Sequence, residues 1–211
     1  MAIENALDNI LNASSKVRII RLFISKRKDF IATGREIARL TDISAPAAHA
    51  SLKDLYDQDV LSRKILGKQH LYNLNINNRT VKSILVPAFK KELSAKKDMI
   101  EFLNKEIKKK NLSKKIVSLI FYGSLQKRSA TKTSDVDIAI ITKSKADRDQ
   151  VEKLFLEDIS SRFHDFFGAH LDTYIKTQDE FINRLRKNQP PVSTLIKSYT
   201  MVYGKDPLDM K

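Results

Sequence analysis

The N-terminal part of the chain alternates apolar positions at helical spacing with short polar connectors. Residues 16–26 carry an apolar side chain every three or four positions with basic residues between them, which predicts a helix with one face in a core. Thr33 and Glu36 have the spacing of a capping box, in which both side chains bond the first amides of a helix. Ser44 and Pro46 predict the start of a third helix, because serine favours the N-cap and proline is tolerated in a first turn. The last two of these three helices form a helix-turn-helix.

Two strand-like runs follow the third helix, in the sequence VLSRKILGKQHLYNLN. They flank Leu66-Gly67-Lys68 and therefore predict a β-hairpin. A helix, a helix-turn-helix and a basic hairpin in this order resemble a winged helix-turn-helix domain over residues 5–76. In that fold the helix from Ala45 to Asp57 enters the major groove of DNA, and the hairpin reaches the backbone or the minor groove. The DNA contacts implied by this resemblance are His49, Ser51 and Lys53 on the helix and Arg63, Lys64, Lys68 and His70 on the hairpin.

The alanine-rich composition of that helix leaves a second interpretation open. The helix carries Asp54 and Asp57 and has few side chains able to bond the edges of bases. A winged helix with such a surface can also serve as a dimerisation or protein-docking module. If the domain binds DNA, we expect contacts to the phosphate backbone rather than readout of the bases, and we expect a homodimer that reads two half-sites.

The next segment, residues 78–110, has a helical stripe of apolar side chains with lysines over the rest of its surface. Pro87 forbids one unbroken helix unless it lies in a first turn or a kink, so the segment is predicted to be a long helix or two helices in tandem. A run of lysines ends it. We therefore divide the chain into a winged helix-turn-helix domain over residues 1–77, a connecting helix over 78–110 and a second domain over 111–211.

The start of the second domain combines two strand-like runs with a polar loop. Residues 117–121 form a short β-branched and aromatic run, and residues 135–141 form another. Side chains alternate along a strand, so Asp135 and Asp137 are predicted to emerge on one face. Two carboxylates held so close repel each other unless a cation lies between them, and hard divalent ions bind carboxylate and phosphate oxygens together. The pattern indicates a metal-bound nucleotide; the alternative is a turn glycine beside two solvent-facing aspartates.

The sequence GSLQKRSATKTSDVD resembles the signature of the DNA polymerase β nucleotidyltransferase superfamily, and more closely that of the minimal nucleotidyltransferases. The resemblance implies that Gly-Ser opens a helix that holds a triphosphate and that the Asp-x-Asp pair binds two Mg²⁺ ions, with Mn²⁺ as the alternative. It also implies a third carboxylate on a later strand, which the strand-like sequence AHLDTYIK supplies. The catalytic and metal-binding residues implied are Asp135, Asp137 and Asp172, and the nucleotide-binding residues are Gly123, Ser124, Lys127, Arg128 and Ser134.

One position departs from the family's pattern. The family has a small Ala-Arg-Gly segment after the Gly-Ser, and this chain has Gln126-Lys127-Arg128 there. Arg128 occupies the usual glycine position. Either the loop takes a different path, or a bulky cation faces the triphosphate.

The remaining segments predict further helices around the strands. Ser144 and Asp147 resemble a capping sequence that opens a long helix, and Thr177 and Glu180 form another capping box. The sequence STLIKSYTMVYGKDPL is predicted to close the chain as a helix ended by Gly204.

Composition narrows the class of protein. With 211 residues, 42% hydrophobic and 30% charged, the chain is long enough for one large or two small cores. The absence of cysteine excludes disulfides, thiolate zinc sites and cysteine nucleophiles. The first residues are acidic where a secretory signal is basic, and no apolar run approaches the ~20 residues needed to span a bilayer. We therefore expect a cytoplasmic protein with no membrane partner.

The net charge of +14 is unevenly divided at residue 110. Residues 1–110 hold 22 Lys and Arg against 12 Asp and Glu, whereas residues 111–211 hold 17 against 13. Such an N-terminal excess favours a polyanionic partner, nucleic acid first, although lysine-rich chains are also simply soluble.

These patterns and the two resemblances together imply an α/β (α+β) chain: an N-terminal winged helix-turn-helix, a long connecting helix and a C-terminal nucleotidyltransferase fold with a small mixed sheet and flanking helices. The first function we infer is metal-dependent transfer of a nucleoside monophosphate from a nucleoside triphosphate to an acceptor hydroxyl, by a protein that also binds DNA. The second is a winged-helix regulator whose nucleotidyltransferase-like domain binds nucleotide or a partner without turnover. The third is an antitoxin that modifies or masks a toxin-like protein partner.

Overall fold

The computed structural model describes residues 4–27, 29–123 and 135–210. The chain divides into two compact units, Met1–Ala95 and Lys96–Lys211, which we describe separately. In the described part of the chain, no helix has the length and apolar character needed to cross a membrane.

The first unit is a bundle of short helices beside a three-stranded sheet of order β1-β3-β2. A π-helical turn, Val81–Leu85, leads into its last helix, and Pro87 lies in the first turn of that helix as predicted. The labelled elements are α1 (Ala6–Ile10), α2 (Ser14–Ser25), β1 (Ala32–Thr33), α3 (Gly34–Thr41), α4 (Ala45–Asp57), β2 (Leu61–Leu66), β3 (Gln69–Leu74) and α5 (Val86–Leu93).

The helix-turn-helix forms where the sequence predicts it. Thr33 caps α3 through its side chain, and the Glu36 side chain returns to the Thr33 backbone, so both bonds of the capping box are present. Ser44 occupies the N-cap position of α4 without a side-chain cap bond, and Pro46 lies in its first turn. Apolar side chains of α2, α3 and α4, among them Ile20, Ile37 and Leu55, then share one core.

The hairpin after α4 is also confirmed. Strands β2 and β3 pair antiparallel with Leu66 opposite Gln69, which leaves Gly67 and Lys68 as a two-residue turn. Gly67 has a φ of 59°, in the left-handed region that favours glycine in tight hairpin turns. Helices, sheet and hairpin together make the first unit a winged helix-turn-helix.

The second unit is built on a four-stranded mixed sheet of order β6-β5-β4-β7. Strands β5 and β6 run parallel, whereas β4 pairs antiparallel with both β5 and β7. A π-helical turn, Phe155–Ile159, separates α7 from α8. The labelled elements are α6 (Ala95–Lys109), β4 (Ile116–Phe121), β5 (Val136–Thr142), α7 (Lys145–Leu154), α8 (Ser160–Phe167), β6 (Leu171–Thr177), α9 (Gln178–Arg186), α10 (Val192–Leu195) and β7 (Thr200–Gly204). The predicted small mixed sheet with flanking helices is confirmed.

Apolar side chains cover both faces of this sheet because successive residues of its strands point to opposite sides. Leu103 and Ile107 of α6 pack with Phe155 and Phe163 in one cluster. Phe181, Val192 and Leu195 pack in the other. Helix α6 therefore contributes to the core of the second unit.

The boundary between the units changes the distribution of charge. It falls after Ala95, inside the segment 78–110 that we assigned to a connecting helix, so the lysines of α6 belong to the second unit. Residues 1–95 hold 16 Lys and Arg against 9 Asp and Glu, and residues 96–211 hold 23 against 16. Each unit thus carries +7, and the N-terminal excess is a product of dividing the chain at residue 110.

The predicted C-terminal helix is wrong in its second half. Helix α10 ends at Leu195, and Thr200–Gly204 forms the edge strand β7 beside β4. Gly204 does not end a helix. It has a φ of 81°, and a Cβ at this position would lie 2.0 Å from the carbonyl oxygen of Val117. The glycine is required by the close approach of the neighbouring strand.

Candidate functional site

The acidic residues of the second unit meet at one end of the parallel strand pair. Asp137 lies in β5 directly beside Asp172 in β6, because the two are register partners. Asp135 immediately precedes β5 and is exposed to solvent, as is Asp172. The parallel pairing therefore brings the predicted third carboxylate next to the Asp-x-Asp pair, although 35 residues separate Asp137 from Asp172 in the sequence.

Gly123 lies against the Asp137 carboxylate. It follows β4 with a φ of 65°, and a Cβ placed on it would lie 2.1 Å from Oδ2 of Asp137. Both the left-handed backbone and the lack of space require glycine. The family resemblance implied a nucleotide-binding role for this glycine, and the structure adds that its backbone approaches the Asp137 carboxylate.

Tyr122 is a neighbour of the acidic residues that the sequence analysis missed. Its backbone N–H donates to the carbonyl of Asp137 at 3.1 Å. Burial, together with the negative charges of Asp137 and Asp172, raises the pKa of the Tyr122 hydroxyl to about 12. The hydroxyl is therefore protonated at neutral pH and can donate a hydrogen bond beside the carboxylates. In the sequence, the signal that could have identified Tyr122 is its position directly before the Gly-Ser pair.

The carboxylate oxygens of this site suit a hard cation, but they do not form a complete coordination shell by themselves. Among the described residues, no three His, Cys, Asp or Glu side chains are grouped closely enough to hold a metal by themselves. Mg²⁺ needs no such group, because it keeps several waters and is bound by one or two carboxylates together with substrate phosphates. Asp137 and Asp172, at neighbouring register positions beside a glycine backbone, fit that requirement.

Four predicted nucleotide-binding residues lie outside the described residues: Ser124, Lys127, Arg128 and Ser134. Their roles, and the choice between the two loop arrangements at Arg128, stay predictions.

The predicted DNA contacts of the first unit lie on α4 and on the hairpin. Arg63 is held in place, since its guanidinium carbon lies 4.3 Å from the centre of the Tyr56 ring. Ser51 requires a correction. It is buried, and its hydroxyl is hydrogen-bonded to that of Ser15 in α2 at 2.7 Å, so it faces the core of the unit rather than a duplex. The other predicted contacts are exposed: His49, Lys53, Lys64, Lys68 and His70. Three of these, His49, Lys68 and His70, line one cavity.

Comparison with solved structures finds several chains of low identity. HlyU from Vibrio cholerae is 13% identical with a TM-score of 0.34, covering 40% of this chain and 86% of that one. A homodimeric winged helix-turn-helix DNA-binding domain from Mycobacterium bovis is 14% identical with a TM-score of 0.34, covering 43% and 78%. A protein from Methanosarcina mazei described as a possible transcriptional regulator is 13% identical with a TM-score of 0.31, covering 52% and 88%.

Comparison with family models finds a match in the second unit. No curated protein matches the chain significantly. Residues 100–201 match the family model described as "Nucleotidyltransferase domain". The match begins inside α6 and ends in β7, so it covers β4, β5 and β6 together with the three aspartates. The second unit therefore contains a segment similar to nucleotidyltransferase domains.

Proposed function

We propose that the protein is a metal-dependent nucleotidyltransferase that moves a nucleoside monophosphate from a nucleoside triphosphate to an acceptor hydroxyl, and that its winged helix binds DNA. The observation that carries the enzymatic half is the placement of Asp172 beside Asp137 on parallel strands, with Gly123 closed against Asp137. The match of residues 100–201 to nucleotidyltransferase domains supports the same reaction class.

Each acidic residue has a role in this proposal. Asp135 and Asp137, with Asp172 beside Asp137, would hold Mg²⁺ ions, or Mn²⁺ in their place, together with the phosphates of the nucleotide. The metal supplies Lewis-acid stabilisation of the charge that develops on the phosphate oxygens. Asp172 takes the proton of the acceptor hydroxyl. The acceptor oxygen then bonds to the α-phosphorus, the bond to the β-phosphate oxygen breaks, and pyrophosphate leaves.

A further set of residues holds the nucleotide itself in this proposal. Gly123 and Ser124 bind the β- and γ-phosphates, and Lys127 and Arg128 offset the charge of the leaving pyrophosphate, with Ser134 as a further contact. The Tyr122 hydroxyl stays protonated beside the carboxylates, because burial and the charges of Asp137 and Asp172 raise its pKa to about 12. It is a donor that can orient a phosphate or the acceptor.

The DNA half of the proposal rests on exposed cations. We assign phosphate contacts to Arg63, which is stacked on Tyr56, and to the exposed Lys64 and Lys68 of the hairpin. Contacts in the major groove are assigned to His49 and Lys53 of α4, which are exposed. We include a homodimer, since a winged helix that reads two half-sites pairs with a second copy.

The test incubates the full chain with each labelled nucleoside triphosphate and Mg²⁺ or Mn²⁺, and follows label on protein and on nucleic acid. Asp137→Asn should reduce transfer by roughly 10³-fold, because metal assistance is worth several kcal/mol. The matched control is Asp149→Asn, which removes a carboxylate paired with Arg148 on α7.

Two outcomes of that experiment contradict the enzymatic proposal. Equal transfer by parent and Asp137→Asn would place the reaction elsewhere. Binding of a nucleoside triphosphate without any transfer over hours would instead support the regulator that senses nucleotide. A separate observation, co-purification of a toxin-like protein, would support the antitoxin.

A further inference from the structure

The tip of the β2–β3 hairpin is apolar. Ile65 is 66% exposed and Leu66 is 68% exposed, directly before the two-residue turn of Gly67 and Lys68. No atom lies within 4 Å of the position where a Cβ on Gly67 would lie, so this turn has open space around it. Single exposed apolar residues are common on protein surfaces, but here two large aliphatic side chains are adjacent at the end of a hairpin.

The two side chains point to opposite faces of the hairpin, because side chains alternate along a strand. Ile65 shares a face with Arg63 and with its cross-strand partner Tyr72, and Tyr72 is buried, so this face turns towards the core of the unit. Leu66 shares the other face with Lys64, and it is the last residue of β2. Leu66 is therefore the apolar side chain at the outer end of the tip.

The surroundings of this tip are basic. Lys64 and Lys68 lie two residues before and two residues after Leu66, and both are exposed. The sequence contains no aspartate or glutamate from Val60 to Lys91, so the charged side chains of the whole hairpin are positive. A partner that fits the tip must therefore offer negative charge and an apolar contact close together. DNA, an anionic lipid surface and an acidic protein surface all have this chemistry.

The size of the apolar tip decides among these three partners. A single myristoyl chain, which is larger than these two side chains together, binds a bilayer only marginally. A stable protein interface buries about 800 Å² on each partner, which two side chains cannot supply. The minor groove of DNA is only about 6 Å wide, and one leucine is enough to act as a wedge between two base pairs. The minor groove is therefore the partner that a tip of this size fits.

We propose that Leu66 enters the minor groove of a bound duplex, partly unstacks one base step and bends the DNA, while Lys64 and Lys68 contact phosphates beside it. Unstacking costs less at flexible pyrimidine–purine steps such as TA than in a stiff A-tract. The wedge therefore gives the protein a preference for such steps without any hydrogen bond to a base, which phosphate contacts cannot give. This inference rests on the DNA half of the proposed function.

The test compares two duplexes of equal length, one with repeated TA steps and one made of A-tracts, each with a fluorescent dye at both ends. Energy transfer between the dyes measures bending by the full chain, and 2-aminopurine in place of adenine in the TA steps measures unstacking. Both signals should rise when the parent protein binds the TA duplex. Its Kd for this duplex should be roughly 10-fold lower than for the A-tract duplex, because the deformation is less costly.

Leu66→Ala should remove most of the rise in both signals and raise the Kd for the TA duplex by roughly 10-fold, because it removes the wedge. The salt dependence of binding should stay unchanged, since no phosphate contact is lost. Ile65→Ala, on the opposite face of the same hairpin, should keep the bend. Ile76→Ala is the matched control, since it truncates an aliphatic side chain that is 49% exposed and lies outside the hairpin. Thermal melting shows that each variant is folded.

Several results would overturn the wedge while leaving the DNA half of the proposed function in place. They are a duplex that the parent binds without bending, a Leu66→Ala variant that bends DNA like the parent, and a bend that Ile65→Ala or Ile76→Ala loses equally. If the parent binds no duplex, the wedge and the DNA half fail together. Binding to vesicles of phosphatidylglycerol and phosphatidylcholine that needs Leu66, without binding to a duplex, would overturn the wedge in favour of a lipid surface.

Discussion

The two units arrange their charged groups in opposite ways. In the first unit, basic side chains are spread over α4 and the hairpin, and most of them are exposed. In the second unit, Asp137 and Asp172 are neighbours across two parallel strands, with Tyr122 and Gly123 against them. Dispersed cations suit a long polyanion, whose phosphates are also spread out. Adjacent carboxylates suit a small, highly charged ligand that must be held in one position.

Two glycines show how differently the units tolerate change. Gly67 in the hairpin and Gly123 beside the aspartates both have a left-handed backbone, with φ of 59° and 65°. No atom lies within 4 Å of the position where a Cβ on Gly67 would lie, whereas a Cβ on Gly123 would meet the Asp137 carboxylate at 2.1 Å. The hairpin therefore requires glycine only because of the left-handed backbone of its turn. The acidic site requires glycine also because there is no space for a side chain beside the Asp137 carboxylate.

Among the variants that test this comparison, the largest effect is expected from Gly123→Ala. The methyl group must displace the Asp137 carboxylate, and a displacement of about 1 Å at a reacting site costs roughly 100-fold in rate. Nucleotidyl transfer should therefore fall by at least about 100-fold under conditions where the variant is still folded.

Gly168→Ala is the matched control for that variant. Gly168 is in the same unit with a φ of 66°, and no atom lies within 4 Å of its Cβ position. It should lose about 1 kcal/mol of stability, as expected for alanine in a left-handed conformation, and keep its transfer rate. Equal transfer by both variants would show that Asp137 is not at the reacting centre.

The second prediction compares an ion pair from each unit. Glu106 of α6 is 1% exposed and pairs with Arg162 of α8, so Arg162→Ala leaves a buried carboxylate without its partner. We expect a loss of about 2–3 kcal/mol in the free energy of unfolding of the second unit, somewhat less than for a fully buried pair because Arg162 is partly exposed.

Arg21→Ala is its counterpart in the first unit. Arg21 makes two hydrogen bonds of 2.8 Å to Glu92, but both side chains are substantially exposed. Its loss should cost only about 0–1 kcal/mol, as for other surface ion pairs. Denaturant unfolding of both variants checks the difference. A similar cost for the two would mean that burial of Glu106 does not decide the energy of its pair.

The third prediction concerns the dispersed cations. Replacing Arg63 and Lys64 together by alanine removes two potential phosphate contacts, so the slope of log Kd against log salt should decrease by about 2. The loss should be alike for all duplex sequences, because phosphates carry no base information. Arg39→Ala is the control on α3. A loss of affinity confined to one duplex sequence would indicate base readout instead. A salt-independent affinity would contradict the proposal that the winged helix binds DNA.

Local signals in the sequence predicted most of the fold. The capping boxes Thr33 to Glu36 and Thr177 to Glu180 are both present, because each depends on side chains three residues apart. What the sequence did not predict depends on distant neighbours. From the sequence, Gly204 was predicted to end a helix. In the structure, glycine is required there because the Val117 carbonyl lies close to it.

The same limit applies to the candidate sites. Ser51 was predicted to be an exposed residue of its helix, but its hydroxyl is hydrogen-bonded to that of Ser15. Asp172 was assigned through a family resemblance, and only the parallel pairing of β5 with β6 brings it beside Asp137. The position of Tyr122 before the Gly-Ser pair could mark it in the sequence, but its raised pKa could not be predicted, since it comes from burial and from aspartates on two other strands.

The smallest effect we predict is in the alkaline range and turns on Tyr122. Its pKa in the folded protein is about 12, above the ordinary value of 10.0. The stability that follows from the protonated hydroxyl is therefore complete below pH ~10 and is lost as the pH rises towards 12. Tyr122→Phe should make thermal stability fall less steeply over this range. Tyr199, whose pKa burial and a hydrogen bond to Asp206 raise to about 12, remains in that variant and should leave part of the slope.

Asp137→Asn gives the sharper version of the same test. Burial is the main cause of the raised pKa of Tyr122, and Asp137 contributes the larger of the two aspartate effects, so neutralising Asp137 should lower this pKa without returning it to its ordinary value. Tyr199 is affected by Asp206 and Asp209 instead, and its titration should not move. Ultraviolet titration of the parent, Asp137→Asn and Tyr122→Phe resolves the two tyrosines by difference. An unchanged titration in Asp137→Asn would mean that Tyr122 does not sense the carboxylate, and that the acidic residues are not gathered around it as the proposed site requires.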